Sequence, residues 1–184
     1  LVCGAPLEYL QSQIEMECTY CHKTFMSNAR CVNGHFICDS CHEQMGLRVI
    51  EDICRHTDSK DPVAIMKKII LSPYIYMHGP EHHVLVGSAL LAAYKNAGGE
   101  LDLDAALEEM RNRGAQVPGG ICGLWGTCGA AVSTGIFVSL ITGASPLSGK
   151  EWGLCNEMTS RSLGAIAKTG GPRCCKRDSY TAIL

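Results

Sequence analysis

Twelve cysteines constrain this 184-residue chain more than any other feature. They fall into two groups. Cys3, Cys18, Cys21, Cys31, Cys38, Cys41 and Cys54 crowd the first 54 residues, and Cys122, Cys128, Cys155, Cys174 and Cys175 lie in the last 63. Secreted disulfide scaffolds are shorter and poorer in apolar helical stretches. Seven histidines share the cysteine neighbourhoods, and that mixture points to metal binding or thiol chemistry in a reducing compartment.

The first group carries a spacing. In "CTYCHKTFMSNARCVNGHFICDSCH", two C-x2-C knuckles stand 16 residues apart: Cys18 with Cys21, and Cys38 with Cys41. A C-x2-C turn lets two sulfurs reach one ion at ~2.3 Å, so two knuckles complete a tetrahedral zinc site. Between them lie Cys31 and His35, which suit a second metal. "CVNGHFICDSC" resembles the core of RING-type and treble-clef zinc fingers, in which Cys31 and His35 would serve an interleaved site. The downstream C-x2-C that a RING domain uses is absent. Cys3 supplies a third ligand, as the second half of a knuckle whose partner would precede Leu1; Cys54 and His56 are the alternatives. His22 and His42, each directly after a ligand cysteine, are read as supporting or exposed groups. About 50 residues bury too little apolar surface to fold alone, so metal is expected to fold this module.

The module ends in the polar "HTDSKDP", whose Asp61-Pro62 is a helix start with proline at the first helical position. Residues 1–58 are therefore expected to form the zinc-binding module and 59–184 a separate domain. Beyond Pro62 the pattern is helical throughout. "PVAIMKKIILS", "EHHVLVGSALLAAYKNAGG" and "LDLDAALEEMRNRG" read as helices, as does "SGKEWGLCNEMTSRSLGAIAKTGG", with glycine at several of the stops. "CGAAVSTGIFVSLITGASP" is apolar nearly all round and predicts a buried helix. Its Gly129, Ala130, Ala131, Ser133 and Gly135 would let neighbouring backbones approach. A last helix is expected from Pro172. The fold class is thus mostly α: a small treble-clef or RING-like zinc module followed by an all-α domain of five or six helices.

In that domain three strings place reactive side chains at helix openings. "HGPEHH" carries His82 and His83, "VPGGICGLWGTCG" carries Cys122 and Cys128, and "GGPRCCKR" carries Cys174 and Cys175. A helix start offers free N–H groups and positive potential, which favour thiolates. Arg173, Lys176 and Arg177 add charge beside the cysteine pair. Converging, the three openings would make a catalytic or metal pocket in which Cys174 or Cys175 is a thiolate near neutral pH. Of the two histidines, one is expected inward and the other exposed. Cys155, mid-helix, reads as a small buried apolar residue.

Composition excludes some functions. Net charge is −2 with no basic block, so no nucleic-acid footprint is expected. The longest apolar run is too short to span a bilayer. No signal peptide is visible, although the sequence opens on Leu1 and a targeting segment could precede it.

"HGPEHHVLVGSALLAAYKNAGG", "GICGLWGTCGAAVSTGIFVSLITG" and "GGPRCCKR" resemble an uncharacterised prokaryotic family of domains of unknown function. "CGAAVSTG" also resembles a short string of redox proteins with cysteine-rich C-termini. Members of the first family occur near or fused to methyltransferases and radical S-adenosylmethionine enzymes in anaerobes. The resemblance implies a cytoplasmic setting and such an enzyme as a possible partner, and it names no reaction. The expected cofactors are zinc in the first module, and an iron–sulfur cluster, a second metal or a redox-active thiol centre in the second domain. The alternative is a non-catalytic scaffold for a methyltransferase or radical S-adenosylmethionine system.

Overall fold

The fold is taken from a computed structural model, which describes residues 2–184. The chain forms two units, divided at Gly46/Leu47. That division lies inside a helix and upstream of the polar linker at 56–61.

The first unit is a β-hairpin leading into a helix. Strand β1 (Leu7–Glu17) pairs antiparallel with β2 (Thr24–Cys31), with Glu8 opposite Arg30 and a register shift between Tyr9 and Ile14. Arg30 Nε donates to Glu8 Oε1 at 2.7 Å across that pair. On β2, Phe25, Ser27, Ala29 and Cys31 are more shielded than the intervening Thr24, Met26 and Asn28. This period-two pattern marks a strand with one covered face. The first knuckle is the hairpin turn itself: Cys18 N–H donates to the Lys23 carbonyl, and His22 N–H donates to the Cys18 carbonyl, both at 2.9 Å. His22 takes a positive φ of 57° there. Helix α1 (Asp39–Arg55) follows, with Cys41 in its first turn.

The second unit is helical: the end of α1, then α2 (Pro62–Ile70), α3 (His82–Asn96), α4 (Leu103–Gly114), the single turn α5 (Ile121–Leu124), α6 (Gly129–Thr142), α7 (Lys150–Thr169) and α8 (Cys175–Ile183). Asp61 caps α2, accepting from Val63 N–H at 2.9 Å, and Asp102 caps α4 through Ala105 N–H at 3.1 Å. Each cap satisfies one of the donors that a helix start leaves free. The last helix begins three residues later than Pro172 implies, with Cys174 as its extended N-cap.

The most buried helix is α3, not α6. Its residues from His82 to Ala93 are buried apart from Leu90. Helix α6 keeps Ile136, Phe137, Leu140 and Ile141 only half-buried. The small residues act as expected. Gly87 N–H of α3 donates to Ser133 Oγ of α6 at 2.9 Å. A β-carbon on Gly87 would meet the Ser133 carbonyl at 2.7 Å, and one on Gly135 would meet the Cys155 carbonyl at 3.0 Å. Such contacts let backbones come closer than larger side chains allow. Cys155 itself is half-buried, not part of the core.

Candidate metal and thiol sites

The hairpin turn and the start of α1 bring Cys18, Cys21, Cys38 and Cys41 together, with all four sulfurs within 4.8 Å of one another. Cys21 Sγ and Cys38 Sγ are 3.8 Å apart. Zn–S bonds of ~2.3 Å at tetrahedral angles put sulfurs about 3.8 Å apart, whereas a disulfide holds them at ~2.05 Å. The spacing is that of ligands around one metal ion.

The electrostatics agree. Burial raises the Cys18 thiol, but the backbone N–H groups of Cys38, Cys21 and Tyr20 together bring it down to about 6. Cys38 N–H lies 3.3 Å from the Cys18 sulfur. Cys41 is pushed up to about 12 by desolvation and by Cys38, Cys21 and Cys18. Four crowded sulfurs oppose one another's ionisation, and a divalent cation reverses that.

Cys3, Cys31 and His35 form a second group within the same limit. The two sulfurs are 3.7 Å apart, and His35 Nδ1 lies 3.3 Å from Cys31 Sγ. The backbone N–H of Ala5 is the largest influence on Cys3 and helps bring it down to about 7. Asn33 Nδ2 approaches the same sulfur at 3.6 Å. In chain order the two groups alternate.

The two alternative ligands belong to the second unit. Cys54 is in the core of the second unit, where burial pushes its thiol up to about 12. His56 is exposed and pairs with Asp52. Of the histidines that follow ligand cysteines, His22 is exposed and bonded to Glu17 at 2.8 Å, whereas His42 is buried.

In the second unit the three helix openings line one cavity of about 380 Å³, whose walls include His82, His83, Cys122, Cys128 and Cys175. Cys174 is not among its lining residues: as N-cap it precedes the turn that carries Cys175 inward. Both histidines are buried, contrary to the expectation of one inside and one outside.

The two histidines differ in chemistry. His82 Nε2 faces the Tyr76 carbonyl at 2.9 Å, and Nδ1 faces Ser179 Oγ at 2.9 Å. A carbonyl only accepts, so Nε2 carries the proton and Nδ1 accepts from Ser179. Both nitrogens are engaged, and burial lowers this imidazole to about 4. His83 Nδ1 faces the Val117 carbonyl at 3.1 Å, so there Nδ1 carries the proton. Its Nε2 keeps a lone pair beside Gly129, at the start of α6. Burial lowers His83 as well. A neutral ring whose other nitrogen is fixed by a carbonyl is the usual form of a histidine ligand or base.

For Cys175, one of the two expected thiolates, burial opposes ionisation. Desolvation raises Cys175; the Gly79 N–H and Arg173 oppose that rise, while Cys122 and Asp178 add to it. Cys128 is raised by burial too, against the N–H groups of Ala130 and Ala131. The neighbouring charges are largely spent elsewhere. Lys176 Nζ donates to the Ile70 carbonyl at 3.1 Å, and Arg177 pairs with the buried Asp178 at 2.9 Å. Sequence reasoning counted charges in the string and missed where the turn sends them. It also missed Asp178, for which an isolated acid after three basic positions gave no signal.

Residues 50–184 match the model of a family described as a family of unknown function, DUF5714. The chain belongs to this family. The DUF5714 region therefore contains the whole thiol–imidazole cavity and none of the residues of the two N-terminal cysteine groups. No curated protein and no solved structure matches the chain. Among the described residues, no helix is long and apolar enough to cross a membrane.

Proposed function

We propose that this is a metal-binding protein with its tasks divided between the units. The N-terminal unit is a structural zinc module of treble-clef or RING-like type, with two interleaved sites. The C-terminal cavity is the functional centre, where Cys122, Cys128 and Cys175, with His83 Nε2, hold an iron–sulfur cluster or another metal, or act as a redox thiol site. One observation carries the metal reading: four sulfurs within 4.8 Å, with Cys21 and Cys38 at the edge length of a zinc tetrahedron.

The cavity supports a wider group than a single ion. Among the described residues, no three of its cysteine, histidine and acidic ligand atoms lie within 4.8 Å of one another. A lone zinc would need that closeness, whereas the thiolate ligands of a polynuclear cluster sit around a larger body. Backbone N–H groups at Gly79, Ala130 and Ala131 beside the sulfurs are the donors that stabilise such clusters. Anaerobic purification with metal analysis and an absorption spectrum tests this. Zinc together with iron and a visible charge-transfer band is the expected result; zinc alone returns the C-terminal site to thiol chemistry.

One observation favours a second reading, a partner of a methyltransferase or radical S-adenosylmethionine enzyme. Leu124 and Trp125, between Cys122 and Cys128, are 80% and 69% exposed at the cavity loop. Tryptophan is enriched among residues that anchor protein contacts. Loss of co-purification with such an enzyme on Trp125→Ala would support it.

A further inference from the structure

We propose that the thiol cavity opens onto a binding site for a small amphipathic organic anion, with Arg173 holding its carboxylate or phosphate head. This deepens the reading of the thiol cavity as a functional centre and rests on it for the ligand's role, though not for its binding.

A second cavity, of about 850 Å³, shares Gly120, Cys122, Cys128, Arg173 and Asp178 with the first. Its size falls in the range of small-molecule sites. Its lining combines Leu163, Ile166 and Ala167 of α7 with Arg173, Arg177 and Asp178. Among those three charged groups one cation is left over. Asp178 is buried and paired with Arg177 at 2.9 Å, and Arg177 also donates to the Pro172 carbonyl. Arg173 lines both cavities, is exposed to solvent, and has no hydrogen bond or ion pair among the described residues. Its charge reaches the His83 ring and the Cys175 sulfur. A guanidinium offers five donors in a planar fork matched to carboxylate and phosphate. A positive head site beside an apolar trough selects an anion with a short apolar body, and the shared walls place that ligand against the thiols.

Helix α7 supplies a second handle. A β-carbon on Gly164 would meet nothing within 4 Å, and Gly164 lines the trough. Gly164→Leu therefore fills the trough without a backbone clash and favours the helix.

The test is calorimetric titration of the full, metal-replete chain with octanoate, octylamine and inorganic phosphate. Octanoate should bind saturably at one site, octylamine should not bind, and phosphate should bind at least tenfold more weakly than octanoate. Arg173→Gln and Gly164→Leu should each weaken octanoate at least tenfold. No octanoate binding, binding unchanged in either variant, or octylamine or phosphate binding as tightly as octanoate would overturn the proposal. Metal content and spectrum are recorded on the same samples. Absence of metal at the thiol centre sinks the functional reading while leaving the octanoate result to stand or fall separately.

Discussion

His82 and His83, neighbours in the chain, are held in opposite tautomers: His82 donates from Nε2 to the Tyr76 carbonyl, and His83 donates from Nδ1 to the Val117 carbonyl. His82 has no free nitrogen, because Ser179 occupies the other one. His83 keeps Nε2 available. One is a structural clamp between α3, α8 and the loop at Tyr76, and the other has a lone pair to offer.

The two substitutions should therefore fail differently. His82→Ala removes the hydrogen bonds to the Tyr76 carbonyl and to Ser179 and opens a cavity. That costs about 3 kcal/mol or more and should lower the melting temperature by several degrees. His83→Ala loses one hydrogen bond at a cavity wall and should melt within a few degrees of the parent. Its effect should appear in the metal content or alkylation rate of the C-terminal cysteines. Equal losses of melting temperature would remove the distinction.

Stability should also depend on pH through these rings. His82 is lowered from 6.5 to about 4 in the folded chain. The unfolded chain thus binds a proton at a pH where the folded chain does not. The contribution is fully present above pH 6.5, falls as pH drops, and is gone by about pH 4. A shift of that size corresponds to about 3 kcal/mol, and His83, lowered in the same direction, adds to it. Urea midpoints measured from pH 7.5 to 4 should decline through this window, less steeply in His82→Gln. A flat profile would mean that the rings are not shielded from water in solution.

Zinc removal should act on the first unit. Cys38→Ser breaks the four-sulfur group and should cost one zinc per chain and the hydrogen-exchange protection of β1 and β2, because binding and folding are coupled in so small a module. Cys3→Ser touches only the second group and should cost at most one further metal, leaving Cys18, Cys21, Cys38 and Cys41 occupied. Full zinc content in Cys38→Ser, measured by plasma emission, would show that these sulfurs are not ligands.

Much of this was legible because the signals were local. The C-x2-C spacings identify the Cys18 group, and Asp61-Pro62 and Asp102 mark helix starts by chemistry that acts within three residues. What was not legible depends on direction. Arg173, Lys176 and Arg177 read alike in the string, yet only Arg173 is left unpaired, because the turn into α8 sends Lys176 to Ile70 and Arg177 to Asp178. Burial of Cys175 reverses the effect that a helix start suggests. The hairpin escaped notice because β1 is exposed along most of its length and lacks a clean alternation. The burial of α3 over α6 was equally hidden, since both strings are apolar nearly all round.

A close approach at the thiol cavity gives the last prediction. A β-carbon on Gly129 would lie 2.0 Å from His83 Cδ2 and 2.5 Å from His83 Nε2. Neither distance is possible, so Gly129→Ala must move the ring or the start of α6. The ring is held on its other side by the Val117 carbonyl and is buried. The helix start is anchored by Ala130, which is buried in the same apolar core as residues of α3. With both neighbours fixed, the substitution should cost about 1–3 kcal/mol, the usual range for overpacking, although alanine is the better helix former. If the ring is the part that moves, Nε2 leaves the cavity wall, and the variant should lose metal or alter the reactivity of Cys128. The double variant Gly129→Ala/His83→Ala removes the colliding ring and should recover most of the stability but not the metal. Calorimetric melting of the two variants beside the parent decides it: a Gly129→Ala protein as stable as the parent, with unchanged metal content, would mean that His83 does not pack against this helix start.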